Sequence, residues 1–272
     1  MKDIKYTAIT GASGNLGSKM AHALLATGMP LKLAGRNRDK LTQFEGEAEV
    51  CAGDLEDLEV VKALMENTQS VFLVLPELSK TSIKDYARSL IRIAENTGVS
   101  HIVNISNCTL TRWGRPTLHL EFETFLNETD SIHIKHLRCA NFFENLNWGL
   151  HTPYRGDIKL PYISSDEVVH IAANYLRTLC FTGISVDELM GAADYSMNDF
   201  AEKLGVIYKQ TDVSDDNASF FNAFNQSEYS LVKRSEKNTS KGDVEAFSLD
   251  YFLKHRLDKR LLSRTLPIPS AG

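Results

Sequence analysis

The sequence predicts an α/β fold: a Rossmann-type, doubly wound parallel sheet with a smaller C-terminal α+β region that serves as substrate platform or lid. Three observations point there. Short β-branched or aliphatic runs alternate with longer stretches of helical period, the pattern of a parallel sheet covered by helices. A glycine-rich turn joins the first apolar run to the first helical one. The alternation then weakens after about residue 140, which places the large domain at 1–150 and the smaller region at 151–272.

The strands expected in the large domain are Lys5–Thr10, Leu31–Gly35, Glu49–Ala52, Val71–Leu75, His101–Ser106 and Ile132–Leu137. Helices fill the gaps over roughly Asn15–Thr27, Arg38–Phe44, Leu58–Asn67, Lys80–Thr97 and Pro116–Glu128, each returning the chain for a right-handed crossover. Further on, Ser164-Ser165-Asp166-Glu167 resembles a capping box that opens a helix through about Leu179, and Ser196-Met197-Asn198-Asp199 caps another that ends at Gly205. The polar stretch Thr211–Gly242 reads either as short helices or as a mobile lid, and Pro267–Gly272 as a frayed terminus.

With 43% hydrophobic and 24% charged residues in 272, the composition fits a compact globular protein and argues against disorder. A net charge of -5 argues against general attraction to nucleic acid or anionic membranes. No apolar run reaches the roughly 20 residues that cross a bilayer, and the N-terminus has no secretory pattern, so a cytoplasmic location is expected. Cys51, Cys108, Cys139 and Cys180 lie far apart and read as buried thiols, without a metal site or disulfide framework.

Gly11-Ala12-Ser13-Gly14-Asn15-Leu16-Gly17 lies between a strand and a helix, the setting of a dinucleotide site. Gly11 permits the tight turn, Gly14 lets the backbone approach a pyrophosphate, and Gly17 lets the helix pack on the strand. The helix N-terminus then offers free N–H groups and a positive dipole end to the phosphates. At the end of the second strand, where NAD enzymes usually carry an acid, stands Arg36. An arginine pairs with a 2′-phosphate and stacks on adenine, so NADP(H) is the expected cofactor. Arg38 and Lys40 either add to that charge or are solvated. Asp54 either accepts from the adenine amino group or caps a helix, with Leu55 beside it; Leu75 and Pro76 bring backbone to the ribose.

With these residues in view, the chain resembles the NmrA-like group of atypical short-chain dehydrogenases. The glycines Gly11, Gly14 and Gly17, the run Gly53-Asp54-Leu55, the strand His101–Ser106 and the segment Leu137-Arg138-Cys139-Ala140-Asn141-Phe142-Phe143-Glu144-Asn145 carry the likeness over about residues 3–205. The resemblance implies that Asn141 and Phe142 or Phe143 border the nicotinamide, and that Asn145 lies near the substrate cavity with Trp148. The alternative is that Phe142, Phe143 and Trp148 are core. The group includes quinone reductases, aryl-alcohol and isoflavone-type reductases, and silent redox sensors that bind transcription factors; fold alone does not choose among them.

Ordinary short-chain dehydrogenases carry Tyr-x-x-x-Lys on the helix after the fifth strand, where this chain has His119-Leu120-Glu121-Phe122-Glu123. The i, i+4 spacing sets His119 and Glu123 on one helix face, either as a proton-donating pair or as an exposed pair. Tyr229 and Lys233 match the spacing about a hundred residues too late, a chance match. Ser106, at the end of the fifth strand, either bonds a substrate oxygen or serves a turn. A ketone needs a proton for its basic alkoxide, whereas a quinone yields a much less basic phenolate. The sequence therefore favours an NADPH-dependent reductase of a quinone-like acceptor held by Phe142, Phe143, Trp148 and Phe220 or Phe221. The alternative is a non-catalytic NADP(H) sensor that binds a regulatory protein; a homodimer is compatible with either.

Overall fold

The computed structural model describes residues 5–214 and 217–261. The chain order begins β1 (Tyr6–Ile9), α1 (Asn15–Leu25), β2 (Leu31–Gly35), α2 (Arg38–Leu41), β3 (Glu49–Ala52), α3 (Leu58–Met65), β4 (Thr68–Val74), α4 (Ile83–Thr97) and β5 (His101–Asn107). It continues with β6 (Thr109–Arg112), β7 (Arg115–Pro116), α5 (Leu118–Leu126), β8 (His133–Cys139), β9 (Asn141–Phe142), β10 (Leu160–Ile163), α6 (Ser165–Thr178) and β11 (Ile184–Leu189). The chain then runs through β12 (Asp194–Tyr195), α7 (Met197–Leu204), α8 (Ala218–Asn225), β13 (Tyr229–Leu231) and α9 (Leu249–His255).

The central sheet has seven parallel strands in the order β11-β8-β5-β4-β1-β2-β3. The order reverses between β1 and β4, so the loops leaving these two strands part and open a crevice at their carboxyl ends. Thr10 ties the two edges of that crevice together. Its hydroxyl bonds the Phe72 and Val74 carbonyls at 3.2 Å and accepts from the Val74 N–H at 2.7 Å.

Helices bury the sheet on both faces, which is why the inner strands read as continuous apolar runs rather than alternating ones. On one side Met20 and Leu24 of α1 pack with Val168 and Ala172 of α6; on the other, Leu64, Tyr86, Leu90 and Phe122 come from α3, α4 and α5. Three of the expected boundaries move for local reasons. β4 begins at Thr68 rather than Val71, because the buried Thr68 and Ser70 hydroxyls are satisfied by Leu64 O and Thr7 Oγ1. α5 begins after Thr117, whose side chain caps the Leu120 N–H, and Pro116 ends the β6–β7 hairpin instead. The second helix splits into α2 and a 3-10 turn at Thr42–Phe44.

The division expected at residue 150 is crossed by the chain. α6 packs on α1, and β11 adds a seventh strand beside β8. The rest of the C-terminal region has its own core, in which Phe143, Leu160, Tyr162, Phe200, Phe224 and Phe252 meet. Here α7 carries the predicted caps: Ser196 and Asp199 form a reciprocal capping box, and Gly205 closes the helix at φ +67°. α6 is capped by Ser164, but it closes on Leu179 at φ +48°.

Thr211–Gly242 includes α8 and β13, and β13 pairs antiparallel with β6. Of the cysteines, Cys108 and Cys139 are buried as expected, whereas Cys51 is half-buried and Cys180 is exposed where the chain leaves α6. The tail Pro267–Gly272 lies outside the described residues. Among those residues no helix is long and apolar enough to cross a membrane, and no cluster of three or more His, Cys, Asp or Glu is placed to hold a metal.

Candidate functional site

The crevice begins with the turn from β1 to α1. Gly11 sits at φ +63°, a conformation that needs glycine, and the Gly14 N–H closes the turn on the Gly11 carbonyl at 2.8 Å. A Cβ on Gly17 would strike the Gly11 carbonyl oxygen, lying 2.5 Å from its carbon and 2.8 Å from the Ala12 nitrogen. Helix and strand can therefore meet only at a glycine. α1 has no capping side chain and no acid in its first turn, so its leading N–H groups remain free for an anion. Ser13 packs against Gly35, where a Cβ would lie 2.7 Å from the serine Oγ. Asn15 and Leu16 open the helix, and Leu16 reaches the cavity described below.

Arg36 leaves the end of β2 into solvent, with 67% of its side chain exposed and a 3.5 Å ion pair to Glu77 as its recorded contact. Arg38 and Lys40 are also exposed at the start of α2. Asp54 is exposed at the end of the neighbouring strand and accepts from the Glu56 N–H at 3.0 Å, forming a turn, while Leu55 is buried. The neighbouring acid matters to the loop. Glu56 accepts from the backbone of Ser79, Lys80 and Thr81 at 2.6–3.1 Å, and so fixes the segment that follows Leu75 and Pro76. Desolvation pushes its pKa up, but the donors from Lys80, Ser79 and Thr81 outweigh it and bring the carboxyl down to about 2.

From the crevice a cavity of about 390 Å³ runs beneath the C-terminal region. Its floor is the carboxyl edge of the sheet, with Val74, Ile105, Ser106 and Cys139, and Asn141 and Phe142 border it where β9 begins. Its roof is aromatic: Trp148, Tyr154, Phe220, Phe221 and Phe224. Asn145 also faces the space, and Trp148 stands 46% exposed at its rim. Phe143 differs from the expectation and is absent from the wall. It is 3% exposed and lies parallel to Tyr162 at 6.4 Å inside the C-terminal core, because consecutive residues entering a 3-10 turn point to different sides.

The helix α5 does not bring His119 and Glu123 together as a proton-transfer pair, nor as an exposed one. Glu123 is 2% exposed; it accepts the Ser106 hydroxyl and both prongs of Arg138, with Nη2 at 2.6 Å and Nε at 3.0 Å. Ser106 thereby spends its proton on Glu123 while facing the cavity. His119 lines the cavity and makes no recorded hydrogen bond to Glu123. Burial, helped by the charge of Arg112 and opposed by Glu123, holds its pKa below the ordinary value, so the ring is neutral at pH 7. Tyr229 packs on Phe224 at 4.7 Å, in the C-terminal core, and no lysine lines the cavity among the described residues.

A network that the sequence did not single out joins the two halves of the site. Lys19 on α1 donates to Glu144 at 2.7 Å and to Ser165 at 2.6 Å, and pairs with Asp166 at 2.7 Å. One lysine of the nucleotide helix thus anchors both the segment after β9 and the start of α6. Its sequence signals were Glu144, within the stretch that carried the family resemblance, and Ser165 and Asp166, within the expected capping box; Lys19 itself carried none.

Residues 11–137 match the NAD(P)H-binding family. The chain carries an NAD(P)H-binding domain. The glycine cradle, the free helix N-terminus and the open carboxyl edge of the sheet all fit such a dinucleotide. No curated protein matches the sequence.

Among solved structures, triphenylmethane reductase of Citrobacter sp., complexed with NADP(H), superposes with a TM-score of 0.69 at 18% identity, over 85% of this chain and 93% of that one. NmrA, a negative transcriptional regulator in complex with NADP, gives 0.65 at 15% identity, over 83% of each chain. The NADPH-dependent quinone oxidoreductase of Escherichia coli, complexed with NADPH, gives 0.64 at 19%, over 82% and 87%. At these identities the likeness establishes the fold alone, a Rossmann-type α/β sheet covered by helices.

Proposed function

We propose that the protein is an NADPH-dependent reductase that passes hydride to a quinone or a similar electron-poor aromatic acceptor. The observation that carries this reading is the aromatic-roofed cavity opening from the dinucleotide crevice, with Leu16 and Phe142 at the junction. A bound NADPH supplies the hydride. The chain supplies position and exclusion of water: Ser106 and Asn141 offer polar atoms at the floor, and the aromatic roof holds a flat ring over it.

Reduction of a quinone by hydride and one proton gives a hydroquinone, and the phenolate formed on the way is a weak base. A half-buried, neutral His119 is a poor acid, which suits such an acceptor better than a ketone. Arg36, free of any acid on its own strand end, favours the 2′-phosphate of NADPH over NADH.

The likeness to a transcriptional regulator supports a second reading, a sensor that binds NADP(H) without turnover. The two part in one assay, NADPH oxidation at 340 nm against a panel of quinones with NADH run alongside. Turnover with NADPH preferred supports the reductase. Tight NADPH binding with no turnover on any acceptor overturns it in favour of the sensor.

A further inference from the structure

Arg112, at the end of β6, faces the cavity. Its guanidinium lies 4.6 Å from the centre of the Phe220 ring on α8, so one face is covered by an aromatic surface. Among the described residues it forms no ion pair, and its side chain makes no recorded hydrogen bond. The chain has 35 acids to 30 Lys and Arg, and Arg138, which does not line the cavity, is paired with Glu123. A half-buried cation without a counter-ion, in a cavity with aromatic walls, is costly to maintain unless a ligand answers it. His119 and Tyr154 stand beside it: the guanidinium depresses the histidine, and the Tyr154 hydroxyl has no recorded partner. Loss of hydration lowers the Arg112 pKa from its usual value, yet arginine stays charged at any working pH.

We infer that the cavity takes an aromatic acceptor bearing a carboxylate, held by Arg112 at the end away from the nucleotide turn, with His119 and Tyr154 available as further donors. The planar fork of a guanidinium matches a carboxylate with two parallel N–H···O bonds, and the Phe220 ring keeps that fork from turning. Pairing at Arg112 fixes one end of the ligand, so its ring is set over Ser106 and Phe142. The inference deepens the reductase reading and rests on it.

The test uses two redox-inert probes of the same shape, 2-naphthoate and the neutral 2-naphthamide. Each is titrated by calorimetry into the full-length protein, with and without saturating NADPH. The acid should bind about tenfold or more tightly than the amide, the size expected of a charge-assisted hydrogen-bonded pair. In Arg112→Met the difference should shrink to about twofold, and Arg112→Lys should restore part of it. Equal binding of acid and amide to the unmodified protein overturns the inference, as does a preference that survives Arg112→Met; the first comparison needs no variant to fold. NADPH affinity, read in the same samples from its own fluorescence, tests the reductase reading separately. A protein that prefers the acid but does not bind NADPH keeps the carboxylate site and loses the reductase.

Discussion

Glu123 holds Arg138 in a two-pronged ion pair beneath the cavity floor, and the same carboxylate takes the Ser106 hydroxyl. This buried acid ties α5 to β5 and β8. Glu123→Gln leaves Arg138 facing a neutral amide in a mostly buried setting. It should lower the free energy of unfolding by roughly 3 kcal/mol in urea denaturation, as breaking a buried pair from one side does. An unchanged midpoint and slope would show that the pair contributes nothing.

On the proposed reading, Arg36 is the residue that separates the two dinucleotides. Arg36→Asp should weaken NADPH by about tenfold or more and change NADH little, because only the former presents a phosphate to the guanidinium. Fluorescence titration with both cofactors reads the ratio. Equal loss for both would mean that Arg36 serves the turn rather than the 2′-phosphate.

Gly17→Ala tests the cradle. The new methyl meets the backbone of Gly11 and Ala12, which has no side-chain freedom to yield. The turn must spread, so NADPH affinity should fall by about tenfold or more, with a stability loss of about 1–3 kcal/mol typical of overpacking. Near-normal NADPH affinity in the variant would remove the glycine from the binding argument.

His136 supplies a pH signature. It is fully buried in β8, with Nε2 2.8 Å from Asn127 Oδ1 and Nδ1 3.0 Å from Asn104 Nδ2, an arrangement that fits the neutral ring. Burial, with Arg138 assisting and Glu123 opposing, brings its pKa down to about 4. The folded pKa lies below the unfolded one, so the unfolded chain takes up the proton first. The stability due to the neutral ring is present above about pH 6.5 and is lost as pH falls toward 4. Between pH 7 and 5 the protein should lose about 2 kcal/mol more than His136→Gln. Parallel pH dependence in the two proteins would rule out this titration as the cause.

The main sheet was legible because its strands are buried on both faces and its helices are periodic. The Gly11–Gly17 turn was legible because only glycine fits there. β11 was not: as an edge strand it alternates Ser185, Asp187 and other polar residues with apolar ones, a pattern too short to separate from a loop. The site divided along the same line. Ser106, at a strand end, could be placed from the strand pattern and Asn141 through the family resemblance, whereas Arg112 and Tyr154 reach the cavity through a hairpin and a loop whose course depends on tertiary packing. The spacing of His119 and Glu123 identified a shared helix, but not that Arg138, from another strand, would claim the acid. Phe142 and Phe143 could not be told apart, since which of the two faces the cavity depends on a 3-10 turn with no strong sequence signal.

The cavity has two makers. Its floor belongs to the sheet that carries the dinucleotide, and its roof to α8 and the loop at 148–154, which the sheet's packing does not require. Substitutions in the roof can therefore change what the cavity holds while the nucleotide grip is left intact, so the two parts are free to evolve at different rates. Lys19 limits that freedom: any drift that loosens Glu144 or Ser165 reaches the nucleotide helix at once.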